Sequence, residues 1–281
     1  LKTFFRAELQ CPYIHRPGSE TITSDATFSF HDSSAFCARN LIGALVPECG
    51  RVFAALANGV PIEEVRRLTL EGGLFTQSAR TTRQRFWQTI HYRYLRGPAW
   101  VIEDLCEAVR EGERSPSFLS LLLVHYVLGD ALTYELVTGF LWDRWRAGEP
   151  EITVPETVAE IRRIGSGHTR ITRLTKSSLE RLATMILGSL RDFGLLHGAK
   201  TKRLAGPAAS DRVVRHLARI LVADGVRGRD ILADPAWRIL LLGPDEVAQR
   251  LHYLAQRGEV QFERVGTTVV FIPPVAWLEV E

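Results

Sequence analysis

Apolar residues recur at helical spacing over most of the chain and switch to alternation only near its end. Residues 1 to about 35 stand apart. They hold Pro12, Pro17, Gly18 and many Ser and Thr, which predicts an extended arm with a short strand near Thr27 to Phe30. Helices are predicted at 35–45, at 48–58 closed by Gly59, and from Pro61 at its first position through Leu70, with Glu63 and Glu64 in the turn where the dipole favours acids. Gly72-Gly73 breaks the chain before a helical segment at 77–96. On that segment Phe86, Trp87, Ile90 and Tyr94 form one stripe, and Arg85, Arg93 and Arg96 fall on the other side. Helices at 100–110, 117–128 and 131–146 follow.

The composition shifts at Gly148-Glu149-Pro150. Thr153 to Glu156 is a capping box with proline in the first turn, which starts a helix running to Ile164. After an irregular stretch, Ser177-Ser178-Leu179-Glu180 reads as a second capping box. Leu179, Leu182, Ala183, Ile186, Leu190 and Phe193 then form one apolar face, with Arg181 and Thr184 pointing away from it. Helices at 210–224, 235–241 and 244–257 lead to a β-hairpin at 259–272, where apolar residues alternate around Gly266 before Pro273-Pro274. A helix running straight into a hairpin is a winged-helix pattern. A fainter echo lies upstream, where the helix through Leu190 meets His197 to Arg203. The expected architecture is mainly α: an N-terminal arm at 1–29, a helical bundle at 30–148, and a winged-helix-like helical part at 149–281 ending in the hairpin.

The chain has 281 residues, 46% hydrophobic and 24% charged, which is ordinary globular composition and excludes a disordered or fibrous chain. No apolar core of a signal peptide follows Lys2, Arg6 and Glu8. The most apolar run, 117–142, is interrupted by His125, Asp130 and Glu135, so a pair of buried helices joined near Gly129 is expected rather than a membrane span. Cys11, Cys37, Cys49 and Cys106 are scattered without a C-x-x-C pair, so reduced thiols in a cytoplasmic protein are expected.

Net charge is only +3, but its distribution is uneven. Residues 160–203 hold ten bases against three acids, giving +7, while 1–159 sum to −3 and 204–281 to −1. Three of the four lysines lie in the basic segment. Such a concentration suits neutralisation of nucleic-acid phosphates; the alternative is a solvated basic face balancing the acidic run at 103–113. The segment at 77–96 adds five arginines and no acid. The C-terminal hairpin sets Glu259 and Glu263 against Arg264, so completing the fold or pairing with another copy suits it at least as well as contacting DNA.

Catalytic patterns are missing from the sequence. Gly165-Ser166-Gly167-His168 lacks the third glycine and the preceding strand of a phosphate loop and reads as a helix end and turn. No two histidines stand at i, i+4, no nucleophile elbow occurs, and Cys106 shares a helix face with Ile102 and Val109. The expectation is a protein with no catalytic residue, no metal and no cofactor.

The stretch Leu45-Val-Pro-Glu48 through Ala54, then Val65 to Arg85 with Leu70-Glu-Gly-Gly-Leu-Phe-Thr-Gln77 and Ala79-Arg-Thr-Thr-Arg83, resembles the BrxA family of BREX phage-resistance systems. So does the order His168 to Leu174, Ser177-Ser-Leu-Glu-Arg181 and Leu187 to Leu196. The likeness covers roughly residues 40–200. It implies a NusB-like helical N-terminal part and a non-enzymatic DNA-binding accessory protein. By position it places DNA contacts at 170–181 and at Arg80, Arg83 and Arg85. Together with the charge distribution, the candidate contacts to double-stranded DNA are Arg80, Arg83, Arg85, Arg170, Arg173, Lys176, Ser177, Ser178, Arg181, Lys200, Lys202 and Arg203. Ser177, Ser178 and Arg181 are placed to reach a groove. Other proteins of the defence system are further candidate partners; no membrane contact is expected, and the oligomeric state stays open. Two rival readings are an RNA-binding module using Trp87, Tyr92 and Tyr94 beside the arginines, and an assembly subunit whose basic face docks on an acidic partner.

Overall fold

The computed structural model describes residues 30–31, 42–77 and 79–278. The expected arm, its strand and most of the helix at 35–45 lie outside these residues, as do Cys11 and Cys37. Thirteen α-helices dominate the described residues, with five short strands.

The first unit along the chain comprises α1 (Val46–Ala57), α2 (Ile62–Glu71), α3 (Arg80–Ile90), α4 (Ala99–Arg110), α5 (Pro116–Leu128), α6 (Ala131–Glu135) and α7 (Trp142–Arg146). Pro61 caps α2 rather than occupying its first turn. Helix α5 is apolar on every side, and Phe118 with Leu121 through Val124 are fully buried, because α4 and α6 pack against it as well as the later helix α11 (Asp211–Ala223). The α5 helix and the α6–α7 segment bend by 110° at Gly129, and no single helix among the described residues is long and apolar enough to cross a membrane.

Beyond Ile90 the α3 helix widens into a π-helical turn, His91–Leu95. A π-turn adds a residue to the helical circuit and rotates the side chains beyond it. Arg93 therefore leaves the outward side expected of it and is buried, its Nη1 donating to Gly43 O at 2.7 Å and its guanidinium 4.9 Å from the Tyr126 ring centroid. A second π-turn, Leu136–Leu141, joins α6 to α7.

Next come β1 (Glu151–Ile152), α8 (Val154–Ile164), α9 (Thr169–Thr172), α10 (Lys176–Asp192), β2 (Leu196–His197) and β3 (Lys202–Leu204). The Thr153–Glu156 capping box forms in both directions. The second capping box does not. Helix α10 begins two residues earlier, with Thr175 as its cap accepting from Ser178 N at 3.2 Å, and Ser177 lies inside the first turn. The predicted apolar face of α10 is buried throughout and packs on α8, and Phe193 meets Tyr126 of α5. The α8–α9 turn depends on Gly165, where a Cβ would lie 2.4 Å from Ile171 Cγ2.

The strands pair antiparallel in the order β1-β3-β2, with Glu151 opposite Arg203 and His197 opposite the same residue. The upstream echo is thus the strand pair that joins a sheet flanking the helices. The C-terminal hairpin, β4 (Gln261–Val265) and β5 (Thr268–Ile272), makes a separate two-stranded sheet that packs on α13 (Pro244–Gln256). The short helix α12 (Asp230–Ala233) completes the elements. All buried apolar side chains, from Phe30 to Trp277, belong to one contiguous core.

Candidate nucleic-acid interface

Helix α10 and the β2–β3 pair bring most of the predicted bases onto one small framework. Arg173, Lys176 and Arg181 are exposed at the start of α10 and in the turn before it, with Arg170 half-buried on α9. Ser177 is exposed, and its Oγ lies 3.1 Å from Thr175 Oγ1. Lys176 approaches Glu180 only at 4.0 Å, with both side chains solvated, so this pair leaves its charge largely unneutralised. At the other end of α10, Gly194 (φ +88°) turns the chain into β2. The β2–β3 turn then exposes Lys200, and Arg203 faces out from β3. This turn requires glycine at 198, where φ is +96° and a Cβ would meet Thr201 O at 2.3 Å.

Three predicted contacts have other roles. Lys202 is buried on the inner side of β3, and its Nζ donates to Ala199 O at 3.1 Å across the turn. Burial, and then the neighbouring Arg191 guanidinium, lower the affinity of that amine for its proton. The strand alternation that exposes Arg203 turns Lys202 inward. Arg83 donates through Nε and Nη2 to Leu70 O at 3.1 and 2.9 Å and through Nη1 to Gln77 O at 2.7 Å, which clamps the loop between α2 and α3. Ser178 is half-buried, its amide serving the Thr175 cap and its hydroxyl accepting from Thr175 Oγ1 at 2.9 Å. Arg80 and Arg85 are exposed on α3, a separate element.

The aromatic set beside the arginines is mostly internal. Trp87 and Tyr94 are buried, and Tyr92 lies under the Arg96 guanidinium at 3.6 Å. A single-strand stacking platform built on these three rings therefore lacks two of them.

A polar chain without any signature in the sequence crosses the core. Asp104 Oδ2 lies 2.6 Å from His216 Nδ1, and His216 Nε2 lies 2.8 Å from His125 Nε2. The three residues come from α4, α11 and α5, and no local spacing signals their meeting. Burial, and then His216, hold the His125 imidazole well below the usual histidine range. The cavity beside His125 measures about 20 Å³, room for about one water. Cys49 and Cys106 are buried free thiols; burial holds the Cys49 thiol far above its ordinary value and raises that of Cys106, which disfavours the thiolate at both.

Among curated proteins no similar sequence is found. A sequence model of the BrxA family matches residues 42–220, a span that takes in α1 through most of α11 and so the whole α10–β3 framework. By that match over more than half of its length, the chain belongs to the BrxA family of BREX phage-defence components.

Proposed function

We propose that this BrxA-family chain acts in phage defence as a non-catalytic, duplex-DNA-binding protein, with α8, α9, α10 and the β1-β3-β2 sheet as a winged-helix module. One observation carries the reading: exposed bases cluster at the start of α10 (Arg173, Lys176, Arg181) and at the β2–β3 turn that follows it (Lys200, Arg203). Sheet order supports it too, since the β2–β3 pair that carries this turn follows α10 and joins β1 in one sheet, the layout of a wing after a recognition helix. Arginines and lysines there position the phosphate backbone; Ser177 and Arg181 face outward toward a groove. The buried rings at 87 and 94 favour duplex over single-stranded RNA.

A titration with random-sequence duplex at two salt concentrations tests this. Five or six phosphate contacts give a slope of log affinity against log salt of about −5. Absence of binding at low salt refutes the reading. Charge reversal at Arg173 and Arg181 should weaken duplex binding. Should it instead break a protein complex while wild-type DNA binding is negligible, the assembly reading replaces this one.

A further inference from the structure

Two α-helices contain an interior glycine among the described residues, and the two differ in cause. At Gly50 of α1 a Cβ would fall 2.8 Å from Glu113 Cβ, so packing demands glycine there. At Gly188 of α10 a Cβ would meet nothing among the described residues within 4 Å, and the backbone is ordinary helix without positive φ. Glycine is the weakest helix former short of proline, and among the described residues neither local packing nor conformation accounts for it here.

Position supplies a reason. Ser177, Glu180, Arg181, Thr184 and Gly188 fall on the side of α10 opposite the buried face of Leu179, Leu182, Ala183, Ile186 and Leu190. The first four are exposed and Gly188 is half-exposed. Along this outward stripe Glu180 and Arg181 reach furthest, Ser177 and Thr184 are short, and Gly188 alone carries no side chain. Positive side chains flank it at both ends: Arg173 and Lys176 on one, Arg191, Lys200 and Arg203 on the other. From Lys176 to Arg191 the helix rises about 22 Å, enough to lie across a major groove about 12 Å wide and reach the phosphates beyond each rim. Glu180, an acid that phosphates would repel, falls in the first half of the stripe, where base edges rather than phosphates would face it.

We infer that α10 docks on duplex DNA along its length rather than by its N-terminal tip alone, and that Gly188 is where the sugar-phosphate backbone passes against the helix. This rests on the DNA-binding reading above. It assigns to Gly188 a positioning role that requires the absence of a side chain.

The test compares wild type, Gly188→Ala and Gly188→Leu by fluorescence anisotropy on a random-sequence 30-base-pair duplex at low salt, with thermal melting by circular dichroism alongside. Both substitutions favour helix, so neither lowers the melting temperature. The expected result is a progressive loss of affinity, roughly threefold for alanine and more than tenfold for leucine. A Gly188→Leu protein that binds like wild type overturns the inference and leaves the DNA-binding reading standing. A wild-type protein that does not bind removes that reading, and the inference with it.

Discussion

Replacing His125 by Gln should remove a pH dependence that the buried chain Asp104–His216–His125 builds into stability. His216 is fully buried and His125 nearly so, and their Nε2 atoms face each other at 2.8 Å. Only one of those two nitrogens can carry the hydrogen between them. With His216 Nδ1–H donating to Asp104 and His216 Nε2 accepting, His125 is the donor between them. Because burial depresses its proton affinity, the unfolded chain takes up that proton before the folded chain does. The contribution of His125 is therefore complete above the unfolded value of about 6.5 and is lost as pH falls below it. One uncompensated proton gives a slope of about 1.4 kcal/mol per pH unit. Between pH 6.5 and 5 the loss reaches about 2 kcal/mol, or roughly 4–8 °C in melting temperature. The Gln amide reaches the position of Nε2 and still donates to His216, but it does not titrate. Melting curves of both proteins from pH 7.5 to 5 check this. Shifts at His91 and Asp224 are common to both and cancel in the difference. The expected result is a flatter curve for the variant, converging on or crossing wild type toward pH 5. Parallel curves would refute the assignment of His125 as a buried neutral group.

Single contacts give further expected outcomes. Gly165→Ala should destabilise by about 1–3 kcal/mol, because its Cβ overlaps Ile171 and the α8–α9 turn must open; denaturant unfolding measures it. Arg83→Ala should also lower stability, by about 1–3 kcal/mol for the loss of three carbonyl contacts, while leaving duplex affinity at low salt unchanged. At the wing, Lys200→Ala should reduce the salt slope of DNA binding by about 1. Lys202→Met should leave that slope as it is, since the Lys202 amine is occupied with Ala199 O; an equal effect of the two lysines would overturn their division.

Much of the local structure was legible from the chain. Capping at Thr153, the apolar period of α10, the break at Gly129 and the alternation around Gly266 each involve residues within a few positions of one another. The start of α10 is ambiguous in the sequence because Thr175 and Ser177 are both competent caps two residues apart, and only the backbone conformation at Thr175 selects between them. The concentration of bases at 160–203 marked the candidate interface, yet it did not separate Lys202 from its neighbours. A strand of three residues is too short to show its period, so which side chain turns inward depends on pairing with β1 fifty residues earlier.

Short-range periodicity and composition alone make this protein mainly helical, place most of its helices and mark the segment that carries its positive charge. Long-range packing selects which of the two hairpin patterns joins the sheet beside α10. It also turns Arg83 and Arg93 inward and brings Asp104, His216 and His125 together across the core. Those outcomes depend on contacts between residues as many as 112 positions apart, for which no local pattern exists.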